Sequence, residues 1–133
     1  MLFRSAYIDA SAAVKLVRGE RESAAVAEAM ADMPLRYSSE ILAVELHGAL
    51  HRLERPELLR LADPLLAAIE LIPFDARVRA RACAGFDPPQ RALDAVHLAS
   101  ALLIPEPGVM FVTYDDRQAI AAEAAGLRVL TPV

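Results

Sequence analysis

The stretch SAYIDASAAVKLV, residues 5–17, contains the pattern that decides the fold. Its first four residues form a short apolar segment that ends at Asp9, and such a segment is typical of a strand. The alanine- and valine-rich residues after Asp9 favour a short helix, which we place at residues 10–17. The stretch therefore predicts a strand that leads directly into a helix, with a carboxylate at the junction.

The remaining sequence repeats this alternation of strands and helices. We expect further strands at residues 35–38, 69–74, 109–112 and 127–130, and further helices at residues 20–33, 40–53, 57–68, 76–84, 91–104 and 115–125. Ser38 and Ser39 are suitable caps for the helix that follows them, and Gly126 is a suitable stop. The alternation predicts an α/β fold, a three-layer α/β/α sandwich around a mostly parallel five-stranded sheet.

Length and composition favour one domain over residues 1–133. A chain of 133 residues, 56% of them hydrophobic, can fill a core without staples. Its only cysteine, Cys83, cannot form an internal disulfide, which fits a reducing compartment and argues against a thiolate metal site. The N-terminal apolar stretch is too short for a signal peptide, and no stretch is long enough to cross a membrane. We therefore expect a soluble, cytoplasmic protein without a membrane partner.

The charge of the chain restricts how it can meet nucleic acid. A formal net charge of -4 argues against a protein that coats nucleic acid, because such binding needs many cations at phosphates. A nuclease is not excluded, since acids can be concentrated at a metal site while arginines line its rim. All of the 14 basic residues except Lys15 are arginine, the better phosphate ligand, although the codon usage of a GC-rich genome is the simpler explanation.

Two aspartates follow predicted strands. Asp9 comes directly after Ile8, and Asp115 lies just beyond the strand at residues 109–112. Because functional groups in parallel α/β sheets collect outside the carboxyl ends of the strands, both carboxylates should project from the same edge. Each alone could be an N-cap or turn residue, but the presence of two weakens that explanation.

Asp94 and Glu45 lie in predicted helices among apolar neighbours. Asp94 is in a helix that offers little polar surface, where a charge is costly unless it is paired or bound to a cation. A salt bridge with Arg91 or a contact with His97 would also satisfy it, and we expect His97 to be a packed, hydrogen-bonded residue. Glu45 lies at the edge of the apolar stripe of its helix and could equally be an ordinary flanking residue.

If these four carboxylates converge, they repel one another strongly without a counter-ion. Oxygen ligands without cysteine or paired histidines favour Mg²⁺ or Mn²⁺ over zinc, and such an ion can activate water for attack on a phosphodiester. Ser11 and Thr113 lie two residues from Asp9 and Asp115 respectively; they could orient carboxylates or water, although capping is the simpler role. Asp116 fits a solvated first-turn acid and is the alternative to Asp115 as the residue that faces the metal.

Four segments lie in register: YIDASA at residues 7–12, SEILAVEL at 39–46, LDAVHLA at 93–99 and VTYDDR at 112–117. Together they resemble PIN-domain ribonucleases, and most of all the VapC toxins of bacterial toxin–antitoxin pairs. The resemblance extends over the whole chain, down to GLRVLTP at residues 126–132. One departure is Ala10, where many relatives carry threonine.

The resemblance implies a function and a set of partners. It implies that Asp9, Glu45, Asp94 and Asp115 form an acidic quartet that binds Mg²⁺ or Mn²⁺, and that metal-activated water cuts an RNA backbone in a transfer RNA or ribosomal RNA. It also implies a homodimer and a VapB-like antitoxin, which docks a helix on the toxin and blocks the acidic site in a hetero-oligomer. Apolar positions in the helices at 20–33 and 57–68 are candidates for that surface, with core packing as the other explanation.

Other classes fit the sequence less well. A phosphoacceptor receiver domain needs a lysine near the end of a late strand, and the only lysine here is Lys15. A haloacid-dehalogenase-type phosphatase needs a second acid two residues after its nucleophile, where this chain has Ser11. The alternative that stays open is a catalytically weak PIN-like module that binds protein or RNA.

Overall fold

Residues 5–19 and 21–133 are described by the structure, a computed structural model. Within these ranges the strands are β1 Ser5–Ile8, β2 Leu35–Ser39, β3 Glu70–Ile72, β4 Val109–Val112 and β5 Arg128–Leu130. They form one sheet in the order β3-β2-β1-β4-β5. Every neighbouring pair in it is parallel, so the sheet is more uniform than the mostly parallel sheet expected.

Helices connect consecutive strands. In the described ranges they are α1 Ala10–Arg18, α2 Ser23–Ala31, α3 Ile41–Arg52, α4 Pro56–Ala67, α5 Ala76–Ala84, α6 Ala92–Leu102 and α7 Asp116–Ala124. The carboxylates of Asp9, Asp75 and Asp115 cap α1, α5 and α7, because each accepts a hydrogen bond from a backbone N–H of the first turn. None of the helices in the described residues is long and apolar enough to cross a membrane.

The helices cover both faces of the sheet. Along β1, Ala6 and Ile8 point into a core cluster shared with α1, α2, α3 and α4. Tyr7, between them, points to the opposite face and packs in a second cluster with residues of α6 and α7, as the two-residue period of a strand requires. This arrangement confirms the predicted three-layer α/β/α fold.

The register of β1 against β4 positions the candidate site. Residues 5–8 of β1 pair one to one with residues 109–112 of β4, and the Asp9 N–H donates to the Val112 carbonyl at 3.3 Å. Asp9 and Thr113 therefore follow neighbouring strands at the same level. They lie at the carboxyl edge of the sheet, where parallel α/β proteins carry their functional groups.

The second helix is shorter than predicted. It begins at Ser23 and ends at Ala31, whereas we expected residues 20–33; Glu20 lies outside the described residues. Gly19, with a φ of 75°, ends α1 in the left-handed conformation, and Arg21 and Glu22 form a turn before the next helix starts. At the other end, Pro34 disfavours helical backbone in the residue that precedes it.

The two serines expected to cap the helix at residues 40–53 have different roles. Only the Ser39 hydroxyl accepts from the helix, from the Ile41 N–H at 3.2 Å. Ser38 is fully buried and its hydroxyl donates to the Ile8 carbonyl at 2.6 Å. Ser38 therefore links β2 to β1, and the expectation that it caps a helix is wrong because its hydroxyl bonds to the neighbouring strand instead.

Candidate active site

Asp9 is a buried carboxylate with both oxygens hydrogen-bonded. It is 3% exposed, and its Oδ1 accepts from the Ser11 hydroxyl at 2.7 Å and the Ala12 N–H at 2.9 Å. Its Oδ2 accepts from the Thr113 hydroxyl at 2.5 Å. Burial raises the pKa of Asp9, while these donors act in the opposite direction by favouring the charged form. The sequence predicted that Asp9 follows β1, and the alternative role considered for it, the N-cap of a helix, is also observed at α1.

Thr113 connects Asp9 and Asp115, which follow β1 and β4. It is fully buried, and while its hydroxyl donates to Asp9 it accepts from the Asp115 N–H at 3.1 Å. Ser11 completes the junction, because its hydroxyl accepts from the Tyr114 N–H at 2.9 Å. Both hydroxyls therefore orient Asp9 and join the segments after β1 and β4, in addition to any contact with water.

Asp94 lies in the first turn of α6, at the wall of a cavity of about 560 Å³. We call this cavity the acidic cleft; it is lined by Pro89, Gln90, Arg91, Asp94, Asp115 and Arg117. The helix is less buried here than predicted, because its first turn forms the rim of the cleft: Leu93 is 48% exposed, whereas residues 95–101 are buried.

The Asp94 carboxylate is unpaired within the described part of the chain. The two simple partners considered for it do not reach it, since neither Arg91 nor His97 forms an ion pair or hydrogen bond with its side chain there. Burial raises the pKa of Asp94 most, the negative charge of Asp115 raises it further, and those of Asp9 and Glu45 add to this; only a protonated His97 would act in the opposite direction. Asp94 is thus a partly buried acid in the field of three others.

Glu45 is held by a buried histidine. Its Oε1 lies 2.6 Å from His97 Nε2, and His97 Nδ1 lies 2.7 Å from the Tyr7 hydroxyl. Burial raises the pKa of Tyr7 far above its usual range, so the hydroxyl keeps its proton and can donate to Nδ1. Because a carboxylate only accepts, we assign the single ring proton of the imidazole to Nε2, which donates to Glu45. His97 is fully buried and hydrogen-bonded, as predicted, but its contact with Glu45 was not anticipated.

Gln118 is a polar residue that the sequence reasoning overlooked. It is 1% exposed, its N–H donates to Asp115 Oδ1 at 2.9 Å, and its side-chain amide donates to the Asp94 carbonyl at 3.2 Å. It therefore links the start of α7 to the start of α6. Its position three residues after an N-cap aspartate is the spacing of a capping box, and that spacing could have identified it.

The four acids share an electrostatic environment without forming a finished metal site. Asp94 and Asp115 line the acidic cleft, whereas Glu45 and Ser11 line a larger cavity of about 890 Å³ between α1 and α3. Asp116 is exposed and is not part of the lining of either cavity. In residues 5–19 and 21–133, no three acidic, histidine or cysteine side chains already stand close enough to hold a metal ion.

The donor set nevertheless fits a hard divalent cation. The acids that act on Asp94 supply only oxygen ligands, the type that Mg²⁺ and Mn²⁺ prefer. The Asp94 carboxylate also lacks a donor of its own in the described residues, so it is available as a ligand. Like charges in a partly desolvated cleft repel one another, and a cation would be needed to draw the side chains together.

Comparison with known proteins identifies the class of protein to which this fold, with its acids at the carboxyl edge of the sheet, belongs. The sequence profile of the PIN domain family matches residues 6–124, and the chain belongs to that family. Within it, the chain is 41% identical over 130 residues to Ribonuclease VapC35 of Mycobacterium tuberculosis (strain ATCC 25618 / H37Rv), with 95% of this chain and 96% of that protein covered. It is 36% identical over 127 residues to Ribonuclease VapC46 of the same strain, with the same coverage. The predicted resemblance to VapC proteins is confirmed.

A solved structure supports the fold independently. The chain matches one from a "Toxin-antitoxin complex from Klebsiella pneumoniae" with a TM-score of 0.68 and 22% sequence identity. The match covers 96% of this chain and 98% of the other. At this level of identity the likeness concerns the fold alone.

Proposed function

We propose that this chain is a metal-dependent endoribonuclease that acts as the toxin of a toxin–antitoxin pair. The observation that carries the proposal is the Asp94 carboxylate, which is partly buried, unpaired in the described residues and close enough to Asp115, Asp9 and Glu45 for their charges to raise its pKa. Such a cluster of acids is destabilising by itself. A function that needs the acids, such as holding Mg²⁺ or Mn²⁺, accounts for their presence.

The chain's own residues would divide the work between ligands and supports. Asp9, Asp94, Asp115 and Glu45 are the proposed ligands. Bound there, a divalent cation supplies activation of water and stabilisation of negative charge on a phosphodiester. Ser11 and Thr113 would fix the rotamer of Asp9.

His97 would do the same for Glu45, since its donated hydrogen bond occupies Oε1 and leaves Oε2 for the site. Asp115 and Asp116 are both exposed, but only Asp115 lines the acidic cleft, and we assign Asp116 no ligand role.

RNA is the proposed substrate, and a transfer RNA or ribosomal RNA is the expected target. Two curated VapC relatives are named ribonucleases, and a nuclease is compatible with the overall charge of -4 provided that cations gather at the site. The expected cytoplasmic location and the single-domain organisation over residues 1–133 belong to the same proposal.

The proposed protein partners are a VapB-like antitoxin and a second copy of the chain. In the helices first considered for the antitoxin, core packing explains Val26 and Met30 of α2 and Leu58 and Ala62 of α4, whereas Leu61 of α4 is 50% exposed. A better candidate is the cavity between α1 and α3, which Glu45, Val44 and Leu93 line. A helix docked there would cover Glu45 and thereby block the acidic site. Analytical ultracentrifugation of the chain with and without antitoxin tests both associations.

The decisive experiment is RNA cleavage by the antitoxin-free protein with Mg²⁺, with Mn²⁺ and with chelator. Wild type should give discrete fragments from total bacterial RNA only when metal is present, and Asp94→Asn should give none. Asp63→Asn is the matched control, because Asp63 is a highly exposed aspartate on α4, and Asp116→Asn separates the two adjacent acids at the start of α7. Both controls should cleave like wild type.

A catalytically weak binding module is the other outcome of this experiment. The helix-capping roles of Asp9 and Asp115 favour it, because they give these acids a structural use. Wild type and Asp94→Asn that behave alike, as folded proteins and across several RNA pools, would decide for the binding module. Calorimetric titration with Mn²⁺ adds a readout independent of cleavage, because a ligand role for Asp94 requires weaker binding in the Asn variant.

A further inference from the structure

Two arginines share the wall of the acidic cleft with two of the candidate ligands. Arg91 is the N-cap residue of α6, one turn before Asp94, and Arg117 lies in the first turn of α7, two residues after Asp115. All four line one cavity of about 560 Å³. Cations and acids this close normally form ion pairs, so their actual partners are informative.

The guanidinium groups are not used to neutralise those acids. In the described residues, neither Arg91 nor Arg117 lies within 4.0 Å of a carboxylate oxygen. Both residues are exposed at the mouth of the cleft. Each therefore presents donors to whatever enters the cleft, and a guanidinium binds phosphate oxygens in a bidentate manner better than an ammonium does.

Arg117 is oriented by the loop that precedes α6. Its Nε donates to the Pro89 carbonyl at 2.9 Å, and in return the Gln90 side-chain amide donates to the Arg117 carbonyl at 3.4 Å and to the Pro88 carbonyl at 2.8 Å. In the part of the chain that the structure describes, the two terminal nitrogens of Arg117 donate no hydrogen bond and stay available to an anion. A side chain anchored in this way loses less entropy when it binds an anion.

The other cavity beside the acids is different in character. The cavity between α1 and α3 is lined mainly by apolar residues, and its lysine, Lys15, is bonded to Glu22 at 2.9 Å and lies 4.6 Å from the centre of the Tyr114 ring. Arg52 also lines that cavity, but it lies at the C-terminal end of α3, whereas the two arginines of the acidic cleft lie at the beginnings of α6 and α7, where the helix dipole attracts anions. The two sides of the acidic site are thus unequal for a polyanion.

We propose that Arg91 and Arg117 bind a backbone phosphate of the RNA next to the phosphodiester held at the acids. The RNA strand then enters the site over the acidic cleft, between the first turns of α6 and α7. This inference rests on the proposed ribonuclease function and names a substrate-binding site for it. It also explains how a chain with a net charge of -4 holds a polyanion beside four acids, because the cations are placed locally.

The test is RNA binding by Arg91→Gln/Arg117→Gln in chelator, where cleavage is prevented. The matched control is Arg60→Gln/Arg79→Gln, which removes the same charge from exposed positions on α4 and α5. The probe is fluorescein-labelled bulk bacterial transfer RNA, followed by anisotropy at several salt concentrations. We expect the cleft variant to bind about tenfold more weakly per arginine, as for the loss of a charge-assisted hydrogen bond. The slope of log affinity against log salt should fall by roughly 0.7 to 0.9 per arginine.

Measurements of metal binding and of cleavage separate phosphate binding by the two arginines from a general effect on the active site. The cleft variant should bind Mn²⁺ at least as tightly as wild type and should show a raised KM with little change in kcat. Because Arg117 also holds the loop, Arg117→Lys is the second variant. It loses the Nε contact but keeps the charge, and it should restore the salt slope.

The outcomes distinguish this inference from the proposed function. If wild type cuts RNA but the cleft variant and the control variant change the salt slope equally, the arginine site is overturned and the nuclease proposal stands. An Arg117→Lys protein whose salt slope is as low as that of the glutamine variant would assign the effect to the loop instead. Wild type that neither binds nor cuts RNA would overturn both proposals.

Discussion

Replacing Thr113 with valine should destabilise the protein strongly, although the two side chains have nearly the same size. The fully buried hydroxyl donates to Asp9 Oδ2 and accepts from the Asp115 N–H. Valine has nearly the same shape but can do neither. A hydrogen bond to a charged group contributes about 1.5–3 kcal/mol and a neutral one about 1 kcal/mol. We therefore expect a loss of about 3 kcal/mol in the free energy of unfolding at pH 7.

The loss should be visible as a large shift in Tm. A globular chain has an unfolding entropy of about 2.1 cal/mol/K per residue, and for 133 residues the expected shift is therefore about 10 °C. Urea denaturation followed by circular dichroism gives the free energy directly. The effect should shrink at low pH, because a protonated Asp9 accepts only a neutral hydrogen bond.

Two variants control this measurement. Thr113→Ser keeps the hydroxyl and should recover most of the stability. Thr131→Val removes an exposed hydroxyl that donates to the Thr113 carbonyl at 2.9 Å, and it should cost less than about 1 kcal/mol. If Thr113→Val unfolds with the same free energy as Thr131→Val at pH 7, Thr113 does not support Asp9 in the way the geometry indicates.

Three further predictions concern pH, the buried histidine and two glycines. Burial raises the pKa of Asp94 above its usual 3.8, so the folded state holds a proton that the unfolded state releases; metal-free protein should lose stability as pH rises from about 3.8 through the raised pKa. Asp94→Asn should flatten this dependence in urea denaturation, and an unchanged slope would contradict it. Tyr7→Phe removes the partner of His97 Nδ1 and should cost about 1–3 kcal/mol in thermal unfolding; a cost near zero would mean that this bond is dispensable. Gly48→Ala should stabilise α3 by about 0.5–1 kcal/mol, because the new Cβ meets only Arg52 Nη1 at 3.6 Å. Gly19→Ala, at φ +75°, should destabilise the protein by about 1 kcal/mol. Chemical denaturation of both glycine variants checks this, and equal changes in their free energies of unfolding would contradict it.

The sequence was most informative where position along a strand decides position in space. Asp9 and Asp115 follow β1 and β4, and the carboxyl ends of adjacent parallel strands lie at one edge whatever the details of the loops. The strands at residues 5–8 and 109–112 were predicted with the bounds that the structure gives. Strand ends are therefore a reliable guide to such a site.

Helix-borne residues were harder to place. Glu45 and His97 are 52 residues apart in sequence, and their contact depends on how α3 and α6 cross the sheet, which periodicity does not specify. Periodicity shows that Asp94 has apolar neighbours, but the exposure of its turn at the mouth of a cavity depends on the loop before α6. The limits of α2 depended on the backbone conformation at Gly19, which composition alone does not reveal.

The pairing of β1 with β4 has a consequence for how the site can move. Asp9 and Thr113 follow the two central strands, and Asp9 is joined to Val112 through the backbone as well as to Thr113 through its side chain. Their amide protons should therefore exchange with solvent only when the whole domain unfolds. The loop at residues 85–91 lies outside this unit and should exchange through local opening. Adaptation to differently shaped RNA would then come from the rim of the cleft, while Asp9 and Thr113 stay fixed.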